Sequence, residues 1–258
     1  MPVLVLPLSR RRVFNVGPAI WQHLRYSPAL SIPRRTFAST QDQPVLEDAD
    51  TTTLKYTLHI APSTSPQVPT VRVVCIADTH NLQDRISLPP GDILIHAGDL
   101  TNWGTESELS NALKWLSSLP YPHKVFVAGN HDHALAIPER RDALLASFPD
   151  LIYLEDSSVT LTVNGHPLKL FGSPRTPKRG EGVFQYLIRS TEWPIPPDTD
   201  IVITHGPPKF HLDDGGQGCN FLLAALWRIR PPLHVFGHIH DGRGVAHLDW
   251  SRNQRHYE

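Results

Sequence analysis

Five apolar runs set the pattern of the chain, and each stops on side chains with oxygen or nitrogen to offer. Val71–Ala77 leads into Asp78-Thr79-His80, Asp92–Ala97 into Gly98-Asp99, and Lys124–Ala128 into Gly129-Asn130-His131-Asp132. Farther on, Ile201–Thr204 runs into His205-Gly206, and Leu233–Phe236 into Gly237-His238-Ile239-His240. Short runs without clean alternation predict strands buried on both faces, the habit of sheets covered by helices on either side. Ligands of such sheets bind at the carboxyl ends of the strands. Five strand ends therefore deliver Asp, His, Asp, Asn, His, His and His to one edge.

Helical spacing fills the gaps between these runs. Thr105 and Glu108 make a capping-box pair ahead of Leu109, Ala112, Leu113 and Leu116, a stripe that stops at Pro120. Pro138 opens a second helix through Arg140–Phe148, closed by Pro149, and a third covers Asn220–Arg230 before Pro231-Pro232. Val159–Val163 and Leu168–Phe171, joined by Asn164-Gly165, predict a hairpin. A hairpin among crossover strands makes the sheets mixed. The expected architecture is an α/β sandwich of two facing mixed β-sheets with helices outside.

Charge divides the chain in two. The total of 24 Lys plus Arg against 25 Asp plus Glu is near zero, but the first 41 residues hold six arginines and no acidic residue, leaving −7 for residues 42–258. An acidic body is not the footprint of a protein that binds nucleic-acid duplexes. No run approaches the roughly 18 apolar residues of a membrane span. Two cysteines, Cys75 and Cys219, cannot build a disulfide framework and suit a reducing interior. Fifteen histidines are more than an unspecialised fold needs, and imidazole is the commonest metal ligand.

Residues 1–41 combine arginine, hydroxyl residues and leucine without carboxylates, the composition of a mitochondrial transit peptide. The run Arg34-Arg35-Thr36-Phe37-Ala38-Ser39-Thr40 resembles a matrix-peptidase cleavage pattern, while Pro2, Pro7, Pro18, Pro28 and Pro33 interrupt any long helix, as in a disordered leader. The expected location is intracellular: mitochondrial with a true targeting leader, cytoplasmic otherwise. Residues 42–70, with Pro44, Pro62, Pro66 and Pro69, are expected to be a linker with one edge strand at Thr53–Ile60. Residues 71–258 are the expected folded domain.

The five blocks, in this order, resemble the calcineurin-like metallophosphoesterase superfamily, whose signature runs D-x-H, G-D, G-N-H-[DE], a lone His, then G-H-x-H. The wording of Gly91–Asp99, Thr204–Pro208 and His234–His240 is similar to its metallophosphoesterase-domain-containing branch, related to small cyclic-nucleotide phosphodiesterases. The resemblance implies two divalent ions, Mn, Fe or Zn, all of which accept such donors. It assigns Asp99 as the bridging carboxylate, Asp78, His80 and His240 to the first ion, and Asn130, His205 and His238 to the second. It also implies a hydroxide shared between the ions that attacks phosphorus in line. His131 is similar to the family's non-ligand histidine, which contacts the phosphoryl group and protonates the leaving oxygen. Asp132 is expected to orient that imidazole. The implied activity is metal-dependent phosphoester hydrolysis, on small or cyclic nucleotides.

Blander readings stand beside these. Asp78 and Asp99 also suit turns, and His238 and His240 also suit a strand end with one side chain in and one out. His96 and His234, inside apolar runs, read as satisfied core histidines. His211 and Arg175 are candidates for substrate contacts, and Trp103 for stacking on a base or for packing. Only 18 residues follow His240, in which Val245–Trp250 and Arg255–Tyr257 supply one short strand and the start of another, so the carboxyl end is expected to be short against the family. That shortness favours a second function, a metal-binding or partner-binding scaffold without turnover, whereas the intact ligand set favours the enzyme. Phosphoprotein phosphatases carry G-D-x-x-D-R-G, and Gly98–Gly104 lacks both the second Asp and the Arg.

Overall fold

The apolar runs form strands that are buried on both faces, and two sheets built from them face each other. The computed structural model describes residues 3–7, 12–15, 70–187, 192–248 and 250–257. One sheet has the order β1 (Val3–Pro7), β3 (Thr70–Ile76), β4 (Ile93–Ala97), β5 (His123–Val127) and β6 (Leu151–Tyr153). Its last four strands are parallel, and β1 runs antiparallel to β3. The other sheet has the order β13 (Gly244–His247), β2 (Arg12–Asn15), β12 (Leu233–Phe236), β11 (Ile201–Thr204), β8 (His166–Ser173) and β7 (Ser157–Val163). Here β2, β12, β11 and β8 are parallel and the two flanking strands antiparallel, so both sheets are mixed. A two-residue parallel pair, β9 (Thr176–Pro177) and β10 (Gln185–Tyr186), lies apart from them.

Alternation along each strand sorts side chains into three apolar layers. Val73, Cys75, Ile93, Ile95, Val125 and Val127 meet Leu168, Leu170, Ile201, Ile203, Leu233 and Val235 between the sheets. Val74, Ile76, Leu94 and Phe126 pack outward on Leu109, Leu113 and Leu116 of α1 (Glu106–Ser118). On the far side, Phe171, Val202 and Phe236 pack on Leu222 and Leu226 of α3 (Asn220–Ile229), with Trp193 and Trp250. The capping box forms as expected: Thr105 accepts from Glu108 N, and Glu108 accepts from Thr105 N. Asn164 and Gly165 both take positive φ, 51° and 81°, which closes the β7–β8 hairpin.

Two expectations are corrected. The second helix, α2 (Pro138–Ala146), opens at the proline as expected, because the first helical position needs no N–H, but ends at Ala146 and not at Phe148, with Ser147 as its cap. Arg255–Tyr257 belongs to a helix, α4 (Arg252–Tyr257), and not to a strand; Ser251 Oγ accepts from Gln254 N in its first turn. Residues 1–41 also contribute two sheet strands, β1 and β2, which their proline-broken composition does not signal. The cleavage-like run 34–40 and the strand expected at Thr53–Ile60 lie outside the described residues. Among the described residues no helix is long and apolar enough to cross a membrane.

Candidate metal centre

Asp78, His80, Asp99, Asn130, His205, His238 and His240 follow the carboxyl ends of β3, β4, β5, β11 and β12, and the facing sheets bring them together. Two groups have potential ligand atoms within 4.8 Å of one another: Asp78, His80 and His240, and Asp99, His205 and His238. Asp99 Oδ2 lies between the groups, 3.7 Å from His80 Nε2 and 3.3 Å from His205 Nε2. Its other oxygen, Oδ1, accepts from His131 N at 2.9 Å. Asn130 Oδ1 is 3.1 Å from His205 Nε2, and His240 Nε2 is 3.7 Å from Asp78 Oδ1. His238 N donates to both Asp78 oxygens at 3.0 and 3.1 Å, joining the two sheets across the site.

Strained backbone aims these side chains. Asp78, His80, Asp99 and His238 have φ of 52°, 43°, 53° and 70°, a region costly for residues with a Cβ and found where surrounding structure enforces it. The enforcing bonds are Asp78 N to Gly98 O, His80 N to Asp99 O and Asn81 N to Leu100 O, at 2.9, 3.2 and 3.0 Å. The neighbouring glycines are needed for space. A Cβ at Gly129 would overlap the Asp99 carboxylate, one at Gly98 the His205 ring, and one at Gly237 the Asp78 carboxylate.

Hydrogen bonds also fix which imidazole nitrogen faces inward. His80 Nδ1 bonds Thr101 O at 3.0 Å and His205 Nδ1 bonds Ala97 O at 2.9 Å. A carbonyl only accepts, so each Nδ1 carries the proton and Nε2 is turned toward the carboxylates. His80 Nε2 is buried with no hydrogen-bond partner among the described residues. An unpaired buried imidazole nitrogen beside two carboxylates and three further histidines is the donor arrangement a divalent cation requires. The residues therefore fit a pair of metal ions.

Burial and the two carboxylates set the proton affinities of the cluster's histidines. Burial lowers the His80 and His238 pKa values, that of His238 to about 4, with the neighbouring His205 adding to it. Burial opposes protonation of His205 as well, but the charge and hydrogen bond of Asp99 outweigh it and raise its pKa to about 9. Burial opposes protonation of His240 too, but the Asp78 carboxylate beside it outweighs burial and raises its pKa. Asp99 stays ionised despite burial, held by His205 and His80.

Asp132 does not orient His131. Its buried carboxylate accepts from Leu100 N, Thr101 N, Thr101 Oγ1 and Gly129 N at 3.2, 3.1, 2.8 and 2.8 Å, and so ties the loop after Asp99 to the loop before Asn130. His131 Nδ1 instead bonds Asn102 O at 2.8 Å. Asn102 was not singled out by sequence, because a backbone carbonyl leaves no residue-type signature; its side chain also donates to His80 O at 3.1 Å. Arg175 is occupied away from the cluster, donating to Asp156 and to Glu192 O and lying over the Trp193 ring. Trp103, on the loop that holds His131, is 77% exposed and packs on no core.

A family model described as calcineurin-like phosphoesterase matches residues 71–242. The chain is 37% identical over 222 residues to metallophosphoesterase domain-containing protein 1 of Homo sapiens, covering 71% of this chain and 65% of that protein. A UPF0046 protein of Caenorhabditis elegans is 37% identical over 195 residues, covering 69% of this chain and 66% of that one. A protein of Emericella nidulans named probable rhamnogalacturonate lyase C is 50% identical over 197 residues, 73% of this chain but only 19% of its own length. The chain therefore spans a fifth of one of these relatives and about two thirds of the others. Among solved structures, TT1561 of Thermus thermophilus shares the fold, with a TM-score of 0.50 at 15% identity over 64% of this chain and 81% of that one.

Proposed function

The chain belongs to the calcineurin-like phosphoesterase family, and from that premise we propose that it is a metal-dependent phosphodiesterase acting on small or cyclic nucleotides. The carrying observation is Asp99 Oδ2 set between the Nε2 atoms of His80 and His205, one from each ligand group. When bound, two divalent cations supply Lewis-acid charge that polarises the phosphoester and acidifies water. Asp78, His80 and His240 would hold one ion, and Asn130, His205 and His238 the other, with Asp99 shared. Asn130 is a neutral oxygen donor, so the loaded centre keeps positive charge for an anionic phosphate. The donor set accommodates Mn, Fe or Zn.

His131 handles the proton. With Nδ1 donating to the Asn102 carbonyl, a second proton on Nε2 makes the ring an imidazolium, and from that form Nε2 gives its proton to the oxygen that leaves phosphorus as the new P–O bond to water forms, leaving the neutral ring. Its backbone N–H, on Asp99 Oδ1, keeps the bridging carboxylate oriented. Trp103 supports the nucleotide reading, because an exposed indole beside the site offers a flat apolar face for a base. The name of the lyase-named relative belongs to a protein of which this chain matches 19%, and it is not carried over.

Hydrolysis of bis(p-nitrophenyl) phosphate with added Mn²⁺ tests the reading against Asp99→Asn and His131→Ala. Wild type should turn over, Asp99→Asn should lose metal and activity, and His131→Ala should keep metal while kcat falls about 10²-fold or more. An inert wild type with both ions bound removes the enzyme and leaves a scaffold. For residues 1–41 the proposal is a targeting leader: a reporter fused to the full chain enters mitochondria, and one fused to residues 42–258 does not. Equal distribution of the two fusions contradicts it.

A further inference from the structure

Two buried histidines outside the ligand set repeat one arrangement, one in each sheet. His96 on β4 bonds Thr79 Oγ1 at 3.0 Å, and that hydroxyl donates to Leu100 O at 3.2 Å. His234 on β12 bonds Thr204 Oγ1 at 2.8 Å, and that hydroxyl donates to Gly206 O at 2.7 Å. A threonine hydroxyl has one proton, already given to a carbonyl, so Nε2 of each histidine must be the donor to it. Nδ1 is then a bare lone pair. In both rings it is buried with no hydrogen-bond partner among the described residues. All four side chains are buried.

The threonines sit where the ligands are strung. Thr79 lies between Asp78 and His80, and the carbonyl it bonds belongs to the residue after Asp99. Thr204 precedes His205, and the carbonyl it bonds belongs to the residue after it. One relay thus pins the loops of Asp78, His80 and Asp99 together, three residues whose positive φ needs outside support. The other brackets His205. A leucine would fill either place without burying an unpaired nitrogen, which costs hydrogen bonding that an apolar side chain does not.

We propose that His96 and His234 are positioning residues of the metal centre, each holding ligand-bearing loops through a buried threonine at a net cost to the stability of the fold. This rests on the reading of the seven residues as a metal centre. Partners behind ligands typically change metal affinity by about 10–100-fold.

The test uses the full chain, stripped of metal, as wild type, His96→Leu, His234→Leu, and the glutamine variants His96→Gln and His234→Gln, which keep an N–H near the position of Nε2. Thermal melting is measured without metal, and Co²⁺ is titrated by its visible ligand-field absorption without substrate. The leucine variants should melt at or above the wild-type temperature yet bind Co²⁺ about tenfold more weakly or worse, with glutamine restoring part of the affinity. Wild-type Co²⁺ affinity in both leucine variants overturns the proposal. So does a melting temperature several degrees lower, since the histidines would then support the fold itself; the glutamine variants decide the same point if a leucine variant does not fold. A wild-type chain that binds no Co²⁺ overturns the metal-centre reading on its own, before any variant is compared.

Discussion

Replacing Gly129 by alanine isolates how closely the site is built around the Asp99 carboxylate. The φ of Gly129 lies outside the left-handed region, so alanine meets no backbone penalty there and acts only through its Cβ. That Cβ would lie 2.7 Å from Asp99 Cγ and closer still to Oδ1 and the Asp99 amide nitrogen, where ordinary contact begins at 3.4 Å. The carboxylate or its loop must retreat by roughly 1 Å, a displacement that typically costs about 10²-fold in rate when it misplaces reacting groups. Metal content after dialysis against buffered Mn²⁺ and kcat on an aryl phosphodiester are the readouts, and both should fall. Gly165→Ala is the control. It sits in the β7–β8 turn at φ +81° with open space around it, so it should cost about 1–2 kcal/mol of stability and leave metal and turnover unchanged. Full metal loading and wild-type turnover in Gly129→Ala would refute the steric argument.

Three further outcomes are expected. Asp132→Asn replaces one acceptor oxygen with a donor facing buried N–H groups, and should lower stability in urea by about 2–4 kcal/mol, where a loss below about 0.5 kcal/mol contradicts the clamp. Thr105→Ala removes the capping box of α1 and should cost about 1 kcal/mol in the same assay, without change in metal content. Burial lowers the pKa values of His96 and His234 to about 3, against about 6.5 in the unfolded chain, so the unfolded state binds more protons between those values. Burying the two rings uncharged adds no proton-linked cost above pH 6.5, and that cost grows as pH falls, at up to about 1.4 kcal/mol per pH unit for each ring. The pH-stability curves of His96→Leu and His234→Leu should be correspondingly flatter below pH 6.5, and an unchanged slope contradicts the assignment.

Most of what positions the site was legible because it is written in residue types at strand ends. The five apolar runs became β3, β4, β5, β11 and β12, and the Thr105–Glu108 pair, the Asn164-Gly165 turn and the prolines marked where elements start and turn. What stayed hidden depends on three-dimensional approach. Asp132 reads as a partner for its chain neighbour His131, but the Gly129–His131 turn points its carboxylate back at the loop after Asp99, and His131 takes a backbone carbonyl instead. His96 and His234 read as satisfied core residues, yet each has one nitrogen paired and one without a partner, which only the packing around the ring reveals. β1 and β2 were hidden for another reason. Pairing with a partner strand can stabilise a short segment whose own composition reads as a leader, and that pairing is not local in sequence.

The central claim is that seven side chains from five strand ends hold two divalent ions around one shared carboxylate. Elemental analysis of the purified full chain, equilibrated with Mn²⁺ or Zn²⁺ and freed of excess metal, measures this directly. The expected result is two ions per wild-type chain and a clear loss in Asp99→Asn, because its shared oxygen faces both groups. A wild-type chain that retains none, or an Asp99→Asn chain that retains both, would contradict the account.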